Sequence, residues 1–293
     1  MRRLRFVSVV AGSLMVLSAS ACGTTSTRPQ AASSPPPVTA EDFDPSNFDD
    51  STNVDNRWFP LQPGTQLVFQ GHATVKDRRV RRRVVFTVTD MSKMIDGVRA
   101  IVIWELDYTA GPLEEAEIAF FAQDNAGNVW NLGQYPEEYD HGTFVKAPAW
   151  IAGLHGARPG ISMHADPMLG TPSYSQGWGP EVNWTDRAKV FEIGQQTCVP
   201  AGCYEDVLVT DEFNRSEPDA DQLKYYAPGI GNVQVGWSGP NEDEREVLVL
   251  VDVVHLSPEA LAKIRADVLE QEQRAYEISK DVYGHTSPVE HSL

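Results

Sequence analysis

Three cysteines in 293 residues leave little room for thiol chemistry. Cys198 and Cys203 are not spaced as Cys-x-x-Cys, and no histidine or further cysteine stands close to them, which argues against a redox or metal pair. Basic residues are also few: 24 Lys and Arg against 41 Asp and Glu leave a formal charge of −17. Such a surface repels phosphates, so a nucleic-acid partner is set aside. The apolar stretch from Phe6 to Leu17 would make a helix of about 18 Å, short of the roughly 30 Å that a permanent membrane span needs. No Gly-x-Gly-x-x-Gly follows a strand to open a helix, and the Walker, Gly-x-Ser-x-Gly and His-Glu-x-x-His patterns are missing. Gly229-Ile230-Gly231 leads from one strand into another and is a turn, not a phosphate cradle. None of the seven histidines is paired at metal-ligand spacing, so neither a metal nor a cofactor is expected.

What the first residues do contain is the layout of a secretion signal. Arg2, Arg3 and Arg5 precede the short apolar core, and the small residues Ser18-Ala19-Ser20-Ala21 lead to Cys22. This order resembles the lipobox of bacterial lipoproteins, in which that cysteine is acylated and becomes the new N-terminus; Ala19 stands where leucine is usual. The expected organisation is a signal peptide over 1–21 and a lipidated, disordered tether over 22–41. A β-rich domain follows over 42–284, then a disordered tail over 285–293. The implied partner is a membrane, reached through lipid on Cys22 at the extracytoplasmic face. Removal of the leader brings the charge to about −20. The tether, rich in Ser, Thr and Pro, favours an extended polyproline-like spacer of up to about 50 Å. In an exported chain Cys198 and Cys203 form an even pair around Val199-Pro200-Ala201-Gly202, a sequence suited to a tight turn. A disulfide is expected there, contributing about 1–2 kcal/mol because the closed loop is short.

Beyond Pro63-Gly64 the apolar period is two. Val84, Phe86 and Val88 point one way while Thr87 and Thr89 point the other. Val102, Trp104, Leu106 and Tyr108 point one way, and Ile103, Glu105 and Asp107 the other. The run Asp124-Asn125-Ala126-Gly127-Asn128 is a hairpin signal, since these residues tolerate positive φ. Further strands are expected at 188–195, 203–211, 222–226, 232–237 and 245–256. With no βα alternation, the expected fold is mainly β: an antiparallel meander forming a strongly curved sheet, open barrel or sandwich. One helix over 257–283 should pack on it, with Ser257 as N-cap, Pro258 at the first helical position and a stripe through Leu261, Ile264, Val268, Ala275, Ile278 and Val282.

Several motifs run in order along the body. They are Phe43-Asp44-Pro45-Ser46-Asn47-Phe48, Trp58-Phe59-Pro60-Leu61-Gln62-Pro63-Gly64-Thr65, the stretch Ala122 to Trp130, Val199 to Leu208, and Tyr225-Tyr226-Ala227-Pro228-Gly229-Ile230-Gly231. In these the chain resembles uncharacterised secreted or lipid-anchored bacterial proteins of the kind common in actinobacteria, over roughly residues 42–255. The resemblance implies an antiparallel β protein. It transfers no catalytic residue, and it implies that the Cys198–Cys203 pair is a local addition, because Thr or Ser often stands at the position of Cys203.

Three sets of side chains are candidates for function. The aromatic-rich middle could line a groove for a small apolar molecule, lipid or glycan, with Trp130, Tyr135, Trp150, Trp178 and Trp184 as its stacking surfaces. His141, His164 and Asp166 could form a loop-built hydrolytic site, with histidine as base and aspartate orienting it. Glu105 with Asp107, and Glu114, Glu115 and Glu117, are paired carboxylates at a separation that suits acid–base work. In so acidic a chain they are expected on a solvated strand face. Ligand binding is the favoured function; a hydrolase and an envelope subunit docking through its terminal helix are the alternatives.

Overall fold

The computed structural model describes residues 40–291. The expected signal peptide over 1–21, Cys22 and nearly all of the expected tether lie outside the described residues. Five long strands open the body, each antiparallel to the last: β1 (Thr65–Val75), β2 (Arg78–Ile95), β3 (Val98–Thr109), β4 (Leu113–Gln123) and β5 (Val129–Asp140). Three short strands, β6 (Thr143–Lys146), β7 (Trp150–Ile151) and β8 (Gly160–Met163), all pair with β5. A second meander follows through β9 (Tyr174–Ser175), β10 (Arg187–Val199), β11 (Gly202–Phe213), β12 (Asp221–Ala227), β13 (Gly231–Ser238) and β14 (Glu244–His255). Strand β14 then runs antiparallel to β1, so the first and last long strands lie together in mid-sheet.

Turn chemistry explains the hairpins. Between β1 and β2, Lys76 and Asp77 have φ of 48° and 64°, and between β2 and β3, Asp96 and Gly97 have 47° and 82°. Paired positive φ values match the twist of the flanking strands. Between β4 and β5 the Asp124 carboxylate accepts from the backbone N–H groups of Ala126 and Asn128 at 3.0 and 2.8 Å.

One expectation fails. The sheet is neither strongly curved nor closed into a barrel, and it is not a sandwich. All the strands belong to one sheet, whose path runs from β6 through β1 and β14 to β9, and those end strands do not pair. Barrel closure requires two edge strands able to share a ladder at a consistent tilt. Here the edges are four and two residues long, the kind of short edge that also blunts pairing with other chains. What forms is an antiparallel meander with one long C-terminal helix.

Both faces of the central strands are apolar. Ile101 and Ile103 on one face join Leu67, Phe86 and Phe121, under a cover formed by Trp58, Phe59 and Leu61. Ala100 and Val102 on the other join Ile118 and Phe120, under the helices α1 (Pro258–Ile278) and α2 (Lys280–Tyr283). The start of α1 is as expected: Ser257 Oγ accepts from the Ala260 N–H at 3.2 Å and Pro258 opens the first turn. Val268 and Ala275 are fully buried, and burying a valine side chain contributes about 1.5–3 kcal/mol. Gln271 looks like a break in the stripe, yet it is buried. Its amide accepts from Trp104 Nε1 at 2.8 Å and donates to the Ala116 carbonyl at 2.7 Å. The stripe needed for docking to a partner is therefore used inside the molecule, although Ile278 at its end is exposed.

After Gly284 the described chain runs back to the sheet as far as residue 291. A two-residue strand β15 (Glu290–His291) pairs with β2. Val289 is buried, and its N–H donates to both oxygens of Glu272 at 3.0 and 3.1 Å. The cause is a buried lysine. Lys93 is fully enclosed, with Nζ 2.7 Å from Glu272 Oε1 and 4.6 Å from the centre of the Tyr283 ring, and it donates to the Ser287 carbonyl. An ammonium out of water needs such partners, and the tail supplies one of them.

Candidate functional site

On the face covered by Phe59, the sheet carries a cavity of about 110 Å³. Its apolar lining includes Leu67, Phe69, Phe86, Phe121 and Leu248. Phe59 bridges the two meanders, with its ring 5.5 Å from Phe121 of β4 and 6.0 Å from Tyr226 of β12, both edge to face. Such contacts add about 0.5–1.5 kcal/mol beyond area burial.

Five acids share the polar part of the wall with Ser162, Lys224 and the amides of Asn131, Gln176, Gln222 and Asn232. In β3, Ile101 and Ile103 give way on the same face to Glu105 and Asp107, both of which line the cavity with Glu115, Glu212 and Glu246. The register sets Glu105 directly opposite Glu117 of β4, with Phe86 of β2 on its other side. Asp107 and Glu117 are 8% and 2% exposed, so these carboxyls do not form the solvated face expected of them. Burial, then the neighbouring Glu115 and Glu105, push the Glu117 carboxyl well above the usual carboxylate range. Glu105 is also raised, mainly by burial and further by Asp107.

Two buried cations answer part of this charge. Arg82, 4% exposed, lies 3.0 Å from Glu246, 2.8 Å from Glu114, 3.3 Å from Glu244 and 3.8 Å from Asp107. Lys224, the one cation among the described lining residues, sits 2.6 Å from Glu212. Gln176 and Tyr226 also donate to Glu212, at 3.1 and 3.4 Å. Burial works to raise Glu212, but the Lys224 ammonium and the Gln176 amide hold it below its ordinary value. The surroundings thus push two carboxyls of the site apart, Glu212 downward and Glu117 upward.

The other candidates do not converge. His141 is exposed on the β5–β6 turn, 3.8 Å from Asp140. His164 is half-buried against the edge of Tyr174, 4.4 Å between ring centres, and burial lowers its pKa. Asp166 is exposed. Among the described residues no hydrogen bond or ion pair joins these three, and no group of three His, Cys, Asp or Glu could hold a metal ion. Trp130 packs on Phe43 and Phe48 and donates to Asp124 at 2.8 Å. Tyr135 is fully buried and donates to Glu137 at 2.9 Å. Trp150 stacks on Trp184 at 6.0 Å, pressed so closely that a Cβ at Gly179 would lie 2.8 Å from its ring. Trp178 is half-buried and bridges to Arg158 through its backbone. Of the five, Trp184 alone borders the cavity. Cys198 and Cys203 are joined by a disulfide across the β10–β11 hairpin.

Sequence reading missed Phe59, Phe86, Glu212 and Lys224 as site residues. The available signal was the replacement of isoleucine by acid at alternate positions along β3.

The class these features define is a mainly β protein, an open antiparallel meander backed by a C-terminal helix, with an acid-walled cavity on one face. No family model and no curated protein matches the chain, so the resemblance to actinobacterial secreted proteins is not shown. Among solved structures the chain is similar to a Bacteroides fragilis protein described as exported, with a YmcC-like fold. The identity is 17%, the match covers 68% of this chain and 99% of that one, and the TM-score is 0.39. It is also similar to a Parabacteroides distasonis protein described as a lipoprotein, at 11% identity over 68% of this chain and 100% of that one, with a TM-score of 0.32. At TM-scores this low neither likeness carries an argument about this chain.

Proposed function

We propose that the protein is an extracytoplasmic binding protein, anchored to the cell membrane by lipid on Cys22 and holding a small molecule, lipid or glycan in the cavity on its sheet. The observation that carries this reading is the cavity itself, where apolar rings meet a few polar groups, the usual construction of a small-molecule site. The export reading draws support from the leader that ends at Cys22 and from the Cys198–Cys203 disulfide, a bond that persists in oxidising compartments. The proposed organisation is a signal peptide over 1–21, a tether over 22–41 and a single domain from 42. Glu41, at the end of that tether, already accepts a hydrogen bond from the Ser175 N–H of β9 at 2.8 Å.

The test is mass spectrometry of the protein purified from membranes. The expected N-terminal peptide begins at an acylated Cys22, and organic extraction of the folded protein releases a small molecule. A chain beginning at Met1 in the soluble cytosolic fraction overturns the envelope reading.

A further inference from the structure

The acid wall specifies what a ligand must bring. Phe86, Glu105 and Glu117 occupy directly opposed positions on β2, β3 and β4 and form one row across the sheet. Like charges directly opposite each other destabilise an antiparallel pair. Glu117 is 2% exposed, and its Oε1 has no hydrogen-bond partner. Glu117 alternates with Glu115 and Phe121 on one face of β4, and both of those line the cavity, so its carboxyl lies on the cavity face of the sheet. A buried group without a partner costs free energy in the empty protein, and a fold retains such a cost where a ligand relieves it. Lys224 does not relieve it by direct contact, because its ammonium is committed to Glu212 at 2.6 Å.

We propose that the cavity selects a ligand bearing a positively charged amine on an apolar body. The ammonium seats at Glu105 and Glu117, and the body lies on Phe59, Phe86 and Phe121. This rests on the ligand-binding reading above and narrows it to one chemical class. Charge-assisted hydrogen bonds are the strong ones, and the faces of the neighbouring rings favour a cation as well. A neutral sugar or a fatty acid meets the same wall at a disadvantage. The sugar leaves both carboxyls without a counter-charge, and the fatty acid adds a third negative group. Burial raises the pKa of both carboxyls, and a cation seated between them opposes that shift.

The experiment is calorimetric titration of the full chain at pH 7 with three water-soluble probes of similar size: phenethylamine, 2-phenylethanol and 3-phenylpropionate. The amine is expected to bind at least tenfold more tightly than the alcohol, and the carboxylate not at all. The double variant Glu105→Gln, Glu117→Gln should bring the amine down to the affinity of the alcohol. If the alcohol or the carboxylate binds as tightly as the amine, the amine inference is overturned while the cavity reading stands. If none of the three binds, both are overturned. The ranking in the unaltered protein decides the matter even if the double variant does not fold.

Discussion

Replacing Glu272 by glutamine tests how the terminal helix and the tail are held. Lys93 has no exposed surface, and its only carboxylate partner is Glu272 at 2.7 Å among the described residues. Glutamine keeps the side-chain length and one acceptor oxygen for the Val289 N–H, but it strips the counter-charge from a buried ammonium. Removing one member of a buried pair costs about 3–5 kcal/mol, most of it the cost of the charge left behind. Burial already lowers the Lys93 pKa, with Glu272 opposing that shift. Without Glu272 it falls further. A base whose folded pKa is depressed binds more protons when unfolded, so stability rises with pH between the folded value and the ordinary 10.5. The deficit of the variant should therefore be largest near neutral pH and shrink as pH approaches 10. Urea unfolding at several pH values measures this directly. The double variant Lys93→Met, Glu272→Leu should recover most of the loss, because an apolar pair can replace a buried ionic one at little cost. A loss below about 1 kcal/mol for the single variant, or a double variant whose loss equals the sum of the two singles, refutes the reasoning.

The Glu117 carboxyl has its folded pKa raised. It contributes stability below its ordinary 4.5, and that contribution is lost as pH rises through the folded value. Unfolding midpoints measured from pH 4.5 to 8 should fall with pH in the unaltered protein, and Glu117→Gln should flatten the slope and be the more stable form at pH 8. Replacing both Cys198 and Cys203 by serine should cost about 1–2 kcal/mol, as the closed loop is short; a loss above about 4 kcal/mol would mean that the bond does more than restrain the unfolded chain. Ser257→Ala should cost about 1 kcal/mol through loss of the helix cap, read as a shift in urea midpoint without change of slope.

Local features of this fold could be read from the sequence because their causes are local. The β4–β5 turn follows from Asp124 and Gly127, the start of α1 from Ser257 and Pro258, and the hairpin disulfide from a Pro-Ala-Gly turn between two cysteines. Alternation in β3 was also legible, since Val102 and Ile103 do face opposite ways. What escaped were consequences of pairing between distant segments. That β1 lies beside β14, and that the sheet stays open, depends on which edges are too short to meet. The acids Glu105, Asp107 and Glu117 look like solvent-facing residues in a chain with 41 acidic side chains, and most such residues are exposed. Only the register, which sets Glu105 against Glu117, reveals where they lie: Asp107 and Glu117 are buried and Glu105 is half-buried. Lys93 and Val289 escaped for a similar reason: a lysine within a strand and a valine near the C-terminus carry no sign that the tail folds back onto β2. The aromatic middle was read as a groove because it is rich in tryptophan; of its rings Trp184, stacked on Trp150, borders the cavity, and the other rings that line it belong to flanking segments.

The cavity is the centre of the functional account, and filling it is the most direct trial. Leu67 is 6% exposed and lines the cavity floor; Leu67→Trp places an indole in that space. Native mass spectrometry of the two proteins, each purified from the same cell envelope, should show a small non-covalent adduct on the original chain that denaturation releases. The tryptophan variant, still folded by its unfolding transition, should carry none. Equal occupancy of both proteins, or no adduct on either, contradicts the account.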